Sequence, residues 1–85
     1  MPTDVEVRDR LLEILSGMLE EPPQYQAGAD IFEDFGLDSL DQIEFLFNIE
    51  QTFGVKIADE TFEDEGLRQF DKLVAHLTEQ SANAS

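Results

Sequence analysis

The sequence predicts an all-α fold, a small four-helix bundle of three main helices and one short helix, third in chain order. Three observations carry this. Apolar residues recur at helical spacing in three long segments, stop signals fall at the ends of the first two, and the only strand-like run is the three-residue Val55-Lys56-Ile57. With 85 residues, 41% of them apolar and seven of them Phe, the chain can bury one modest core, and residues 1–85 are expected to form a single domain.

In the first segment Val7, Leu11, Ile14, Leu15 and Met18 share one face, Thr3 or Asp4 can cap the start, and Glu-Glu-Pro-Pro at 20–23 ends it. The expected helix covers about 4–19. A long connection follows to Leu37, holding two prolines and two glycines, in which Ile31, Phe32, Phe35 and Leu37 can dip into the core between acidic residues. A connection of that length has to be pinned to the rest of the fold. The second helix is expected over about 39–53, with Asp38 as N-cap and Gly54 as the residue that stops it. Asp59 is a candidate cap for a brief helix over about 60–64, with Phe62 as its core residue. Phe70, Leu73, Val74 and Leu77 form the stripe of a last helix over about 69–79, followed by a short flexible tail at 80–85.

Composition narrows the function. Twenty acidic against five basic residues give a net charge of −15, which repels nucleic-acid phosphates and anionic lipid and favours partners with basic surfaces. A chain of this size has no room for a deep substrate cleft. The absence of Cys removes disulfides, a thiolate nucleophile and thiolate metal sites, and the lone His76, expected at the surface, has no second imidazole for a relay or a metal. The acidic run from Asp30 to Asp38 lacks the Asp-x-Asp-x-Asp-Gly order of a calcium loop and reads as solvated acid. No metal site is expected. The polar start "MPTDVEVRDR" and the lack of a long apolar run suggest a chain without a signal peptide or membrane span, a monomer in the cytoplasm.

The informative stretch is "DFGLDSLDQIEF", residues 34–45. Gly36 supplies backbone freedom for a turn, Asp38 can cap the helix, and Ser39 becomes its first residue with the hydroxyl facing outward. The unpaired N–H groups and positive end of the dipole suit a phosphate on that hydroxyl. An Asp-Ser pair that merely caps a helix has the same local appearance. The helix beyond it adds a second feature. At about 100° per residue, Phe45, Leu46, Ile49 and Phe53 centre on one face, while Leu40, Ile43 and Phe47 gather well over a quarter-turn away. One face suffices for the core, so the other is expected at the surface, rimmed by Glu44, Glu50 and Asp41, as a docking stripe for basic partners. The opposing expectation is a central helix buried all round.

These residues resemble the acyl carrier protein family, whose motif is a Gly-x-Asp-Ser-Leu turn opening the second of four helices; here it reads "GLDSL", and the likeness runs from the first helix to Leu77. The resemblance implies a non-catalytic carrier. Ser39 would bear 4′-phosphopantetheine, transferred from coenzyme A by a Mg²⁺-dependent phosphopantetheinyl transferase, with Gly36 and Asp38 shaping the attachment turn. The arm's thiol would hold acyl intermediates as thioesters for fatty-acid, polyketide or related biosynthesis. The implied partners are a loading ligase or acyltransferase, a ketosynthase and other enzymes with basic docking surfaces, and the implied contacts are Leu40, Asp41, Ile43, Glu44, Phe47 and Glu50, joined by Asp59 and Glu60. Two other readings share some of these features: an aminoacyl carrier loaded by an adenylating ligase, and an acidic helical adaptor with no prosthetic group.

Overall fold

Thr3 opens the first helix by accepting the Glu6 N–H at 3.2 Å, and α1 then runs Asp4–Met18. The computed structural model describes residues 3–21 and 23–83, so Pro22 of the expected stop signal lies outside the described residues. Three further helices follow: α2 Ser39–Phe53, α3 Asp59–Asp64 and α4 Phe70–Asn83. Among the described residues there is no strand, only an isolated antiparallel bridge between Asp30 and Gln69. No helix among them is long and apolar enough to cross a membrane.

The expected apolar stripes meet in one core. Val7, Leu11 and Leu15 of α1 are fully buried and pack against α2 and α4, which contribute Phe45 and Ile49, and Phe70, Leu73 and Leu77. Leu46 and Val74 complete the layer, and Phe53 and Met18 lie half-buried at its margin. This burial of aliphatic and aromatic side chains is the main stabilising contribution, each fully buried large side chain adding on the order of 1.5–3 kcal/mol.

Four helix limits differ from expectation. α1 ends at Met18, one residue early, where the Leu19 N–H closes the last turn on Leu15 C=O. α3 begins at Asp59, not after it. Its cap is Ala58, which is extended and whose carbonyl accepts the Phe62 N–H at 2.9 Å, so the helix starts a residue early without a side-chain cap. Asp59 and Glu60 fall in the first turn instead, where negative charge suits the dipole. α4 starts at Phe70 and continues to Asn83, so most of the expected flexible tail is helical; no Gly or Pro interrupts residues 79–83. Residues 84–85 lie outside the described residues. His76 is half-buried, not fully at the surface.

The connection from 19 to 38 is pinned, as its length requires, chiefly to the start of α4. The Phe70 N–H donates to Ala29 C=O at 2.8 Å and the Ile31 N–H to Arg68 C=O at 2.9 Å. Asp71 accepts from the Tyr25 hydroxyl at 2.7 Å and from the Gly28 N–H at 2.8 Å. That bond, with some burial, holds the Tyr25 phenol above its ordinary pKa, against the Arg8 guanidinium stacked 4.7 Å from the ring centroid. Ile31 and Leu37 are buried, and Phe35 meets Phe70 edge-on at 5.5 Å.

Asp30 corrects the reading of this stretch as solvated acid. Its carboxylate accepts from the N–H groups of Phe32 at 2.8 Å and Glu33 at 3.0 Å, and from Arg68 Nε at 2.6 Å. Desolvation alone would push its pKa up; the Arg68 guanidinium and the two N–H groups outweigh it and hold the carboxyl below its ordinary value of 3.8. Stabilisation from this group is therefore complete above that ordinary value and is lost as pH falls through the depressed one. The expected outcome, read by thermal unfolding across pH 2–7, is that Asp30→Asn melts well below the parent at neutral pH and that the gap closes from about pH 4 downward. A gap independent of pH would remove the carboxylate's charge from the account.

Candidate functional site

The turn leading into α2 is built by three local devices. Gly36 adopts φ +79°, a left-handed conformation that a side chain would strain, while a Cβ there would meet no neighbour within 4 Å; the constraint is conformational, not steric crowding. Leu37 is buried and its N–H donates to Ile31 C=O at 3.1 Å, which anchors the turn to the core. Asp38 then caps α2, its Oδ1 accepting the Asp41 N–H at 2.8 Å, and the Asp38 N–H returns a bond to Asp41 Oδ2 at 3.2 Å. This reciprocal capping box ties both ends of the first turn together. The Asp-x-x-Asp spacing could have suggested it from sequence, since it differs from the usual box only by a shorter acid at the third position.

Ser39, the first residue of α2, is exposed, and its hydroxyl makes no hydrogen bond among the described residues. Gln42 donates the first bond back into the turn, to Asp38 C=O at 2.9 Å, which leaves the N–H groups of Ser39 and Leu40 without a protein acceptor among those residues. An exposed hydroxyl and unpaired N–H groups coincide at the positive end of a 15-residue helix.

Along α2 the two faces separate as the periodicity predicts. Phe45, Leu46 and Ile49 are buried, whereas Leu40 is 76% exposed, Ile43 64% and Phe47 58%. A central helix buried all round is thereby excluded. Glu44 is exposed and Glu50 half-buried beside the stripe, and Asp41 is half-buried by its role in the cap. Ile43, Leu46, Phe47 and Glu50 also line one side of a groove of about 290 Å³ whose other side is Lys56, Ile57 and Asp59. The structure thus brings Ile43, Phe47, Glu50 and Asp59 around one opening, while Leu40 and Glu44 lie elsewhere on α2 and Glu60 is exposed on α3 outside the lining. Lys56 was not among the expected site residues. The signal for it was present: it is the only Lys or Arg between Arg10 and Arg68.

The profile of the family described as phosphopantetheine attachment site matches residues 9–77, and the chain belongs to that family. Among its relatives, the acyl carrier protein of Campylobacter hominis is 35% identical over 78 residues, covering 92% of each chain. That of Chlorobium luteolum is 35% identical over 68 residues, 79% of this chain and 87% of its own. The mitochondrial acyl carrier protein of Neurospora crassa is 32% identical over 77 residues, 88% of this chain but only 56% of the longer fungal protein. Family membership makes the chain a non-catalytic carrier protein with a covalently attached 4′-phosphopantetheine, and the reading as an adaptor without a prosthetic group falls. The residues at the start of α2 fit that group: a free hydroxyl to esterify and N–H donors beside it for the phosphate.

The cap should be separable from the chemistry. Asp38→Ala is expected to destabilise the fold by about 1 kcal/mol in urea unfolding, and Asp38→Asn, whose amide oxygen can still accept the Asp41 N–H, by a few tenths. Equal losses in both variants would point to the negative charge, not the hydrogen bond, as the stabilising part.

Proposed function

We propose that Ser39 is the attachment residue and that the chain presents acyl intermediates, as thioesters on the arm, to the enzymes of fatty-acid, polyketide or related biosynthesis. The observation that carries this is the exposed, unbonded Ser39 hydroxyl at the start of a helix whose outer face is an apolar stripe rimmed with carboxylates. The arm supplies a thiol that a chain without Cys does not have. The chain's own residues bind and orient. Gly36 and Asp38 shape the turn that presents Ser39, and the Ser39 and Leu40 N–H groups, unbonded among the described residues, would donate to a phosphodiester on that hydroxyl.

Leu40, Ile43 and Phe47 are the anchors offered to a partner, and Asp41, Glu44, Glu50, Asp59 and Glu60 steer basic surfaces toward them. The phosphopantetheinyl transferase, a loading ligase or acyltransferase and a ketosynthase are the partners this arrangement suits. Rim carboxylates act on the encounter rate, which salt weakens, and the apolar anchors act on the lifetime of the complex. The relatives above are named as acyl carriers, which supports acyl over aminoacyl cargo.

The test is intact-protein mass spectrometry after incubation with coenzyme A, Mg²⁺ and a promiscuous phosphopantetheinyl transferase. The parent chain is expected to gain one phosphopantetheine, mapped to Ser39. Ser39→Ala is expected to gain none while unfolding within about 0.5 kcal/mol of the parent, because Ser39 makes no side-chain contact that the fold depends on. Modification persisting in Ser39→Ala would overturn the assignment.

A further inference from the structure

The far wall of the groove, Lys56, Ile57 and Asp59, leads directly into α3, the shortest helix of the fold. α3 has six residues, buries one side chain, Phe62, and receives no side-chain cap from Ala58. Four of the six, Asp59, Glu60, Glu63 and Asp64, are exposed carboxylates, and the neighbouring α2 carries Glu44 and Glu50. Like charges on the two helices push them apart, and a helix this short has no stability of its own. Contacts outside α3 have to hold it in place: the buried Ile57 and Leu67 anchor the chain on either side of it.

The contacts of Phe62 add a third. Its ring meets Phe32 of the 19–38 connection edge-on, centroids 6.3 Å apart and planes at 89°. The other neighbour of the Phe32 ring is the Arg68 guanidinium, 4.9 Å from the centroid. Arg68 is itself fixed by Asp30, through Nε to Oδ2 at 2.6 Å and Nη2 to Oδ1 at 3.3 Å, while its carbonyl takes the Ile31 N–H at 2.9 Å. Asp30 Oδ1 also accepts the N–H of Phe32, so the same carboxylate orients both the cation and the ring it covers. The result is a stack in the order Asp30, Arg68, Phe32, Phe62 that joins the connection before α2 to the helix after it.

We propose that Asp30 and Arg68 are positioning residues: their ion pair, relayed through Phe32, holds α3 on the bundle and so sets where the Ile57 wall of the α2–α3 groove stands. Neither residue lines the groove or neighbours Ser39 in sequence. Their effect on it passes through the Phe32–Phe62 contact, beside the backbone link in which the Leu67 N–H donates to Phe62 C=O at 3.0 Å. When the latch is in place, Ile57 and Asp59 face Ile43 and Phe47 across the groove; when it is lost, carboxylate repulsion moves α3 outward and the groove widens. The inference rests on the carrier reading only for what the groove serves, since the latch is present in the chain whatever is attached to Ser39.

The experiment is amide hydrogen exchange with methyl NMR on the full, unmodified chain at constant ionic strength, so that failure of Ser39 modification cannot affect the readout. In Arg68→Gln, exchange at Phe62 and Glu65 is expected to accelerate about tenfold or more, with Leu11, Leu15, Leu73 and Leu77 staying within about twofold of the parent. The methyl signals of Ile43 and Ile57 are expected to shift and that of Ile14 on α1 to stay. Phe32→Leu, which keeps the ion pair but removes the ring, is expected to reproduce the α3-selective change and keeps the test decisive if Arg68→Gln does not fold. Acceleration of equal size in all four helices would make the pair a general stabiliser and overturn the proposal, as would unchanged exchange in α3.

Discussion

The burial of Phe45, Leu46 and Ile49 against α1 fixes the rotation of α2 about its own axis, and the functional surface follows from that constraint. Once this face is turned inward, helical geometry leaves Leu40, Ile43 and Phe47 no choice but to face solvent. Ser39, at the start of the same helix, is then presented at the edge of that stripe. The cap made by Asp38 and Asp41 sets where the helix begins, and the left-handed Gly36 sets the angle at which the chain enters it. On the proposed reading a carrier has to offer its attachment point and its docking surface in a constant relation, and one helix with two apolar faces would achieve this without a second domain.

The exposed stripe costs the isolated chain solubility and the acidic rim offsets it, at the expense of internal repulsion. Only two ion pairs within 4.0 Å occur among the described residues, Arg68 with Asp30 and the weak neighbour pair Arg8 with Asp9. Only five Lys and Arg are present to compensate twenty Asp and Glu, and two of them, Arg8 and Arg68, are stacked on aromatic rings of the 19–38 connection. Cations are thus concentrated where the long connection must be held, and the α2–α3 surface, apart from Lys56, is left negative. That division makes the fold sensitive to salt and the α2–α3 surface attractive to cations by the same physics.

The features legible in the sequence are those set by local pattern. The two faces of α2 could be read from the spacing of seven apolar residues, its limits from Asp38 and Gly54, and the exposure of Ser39 from its place just after a cap. What escaped depends on residues far apart in the chain. The role of Asp30 is set by Arg68, thirty-eight residues later, and the bridge to Gln69 has no strand pattern on either side to announce it. Asp59 looked like a cap because capping residues are recognised by type, yet the turn starts where backbone geometry allows, and Ala58 allowed it one residue earlier. α4 ran past Glu79 because the small polar residues that suggest a tail carry no signal that stops a helix.

The central claim, that α2 devotes one face to the fold and the other to partners, is tested most directly by comparing Phe45→Ala with Phe47→Ala, two substitutions of one residue type two positions apart. Unfolding free energy and the kcat/KM of phosphopantetheinyl transfer would be measured on both. The account predicts that Phe45→Ala loses about 3–5 kcal/mol of stability, whereas Phe47→Ala stays within about 1 kcal/mol of the parent and is modified several-fold more slowly. A Phe47→Ala chain as destabilised as Phe45→Ala, or as readily modified as the parent, would contradict it.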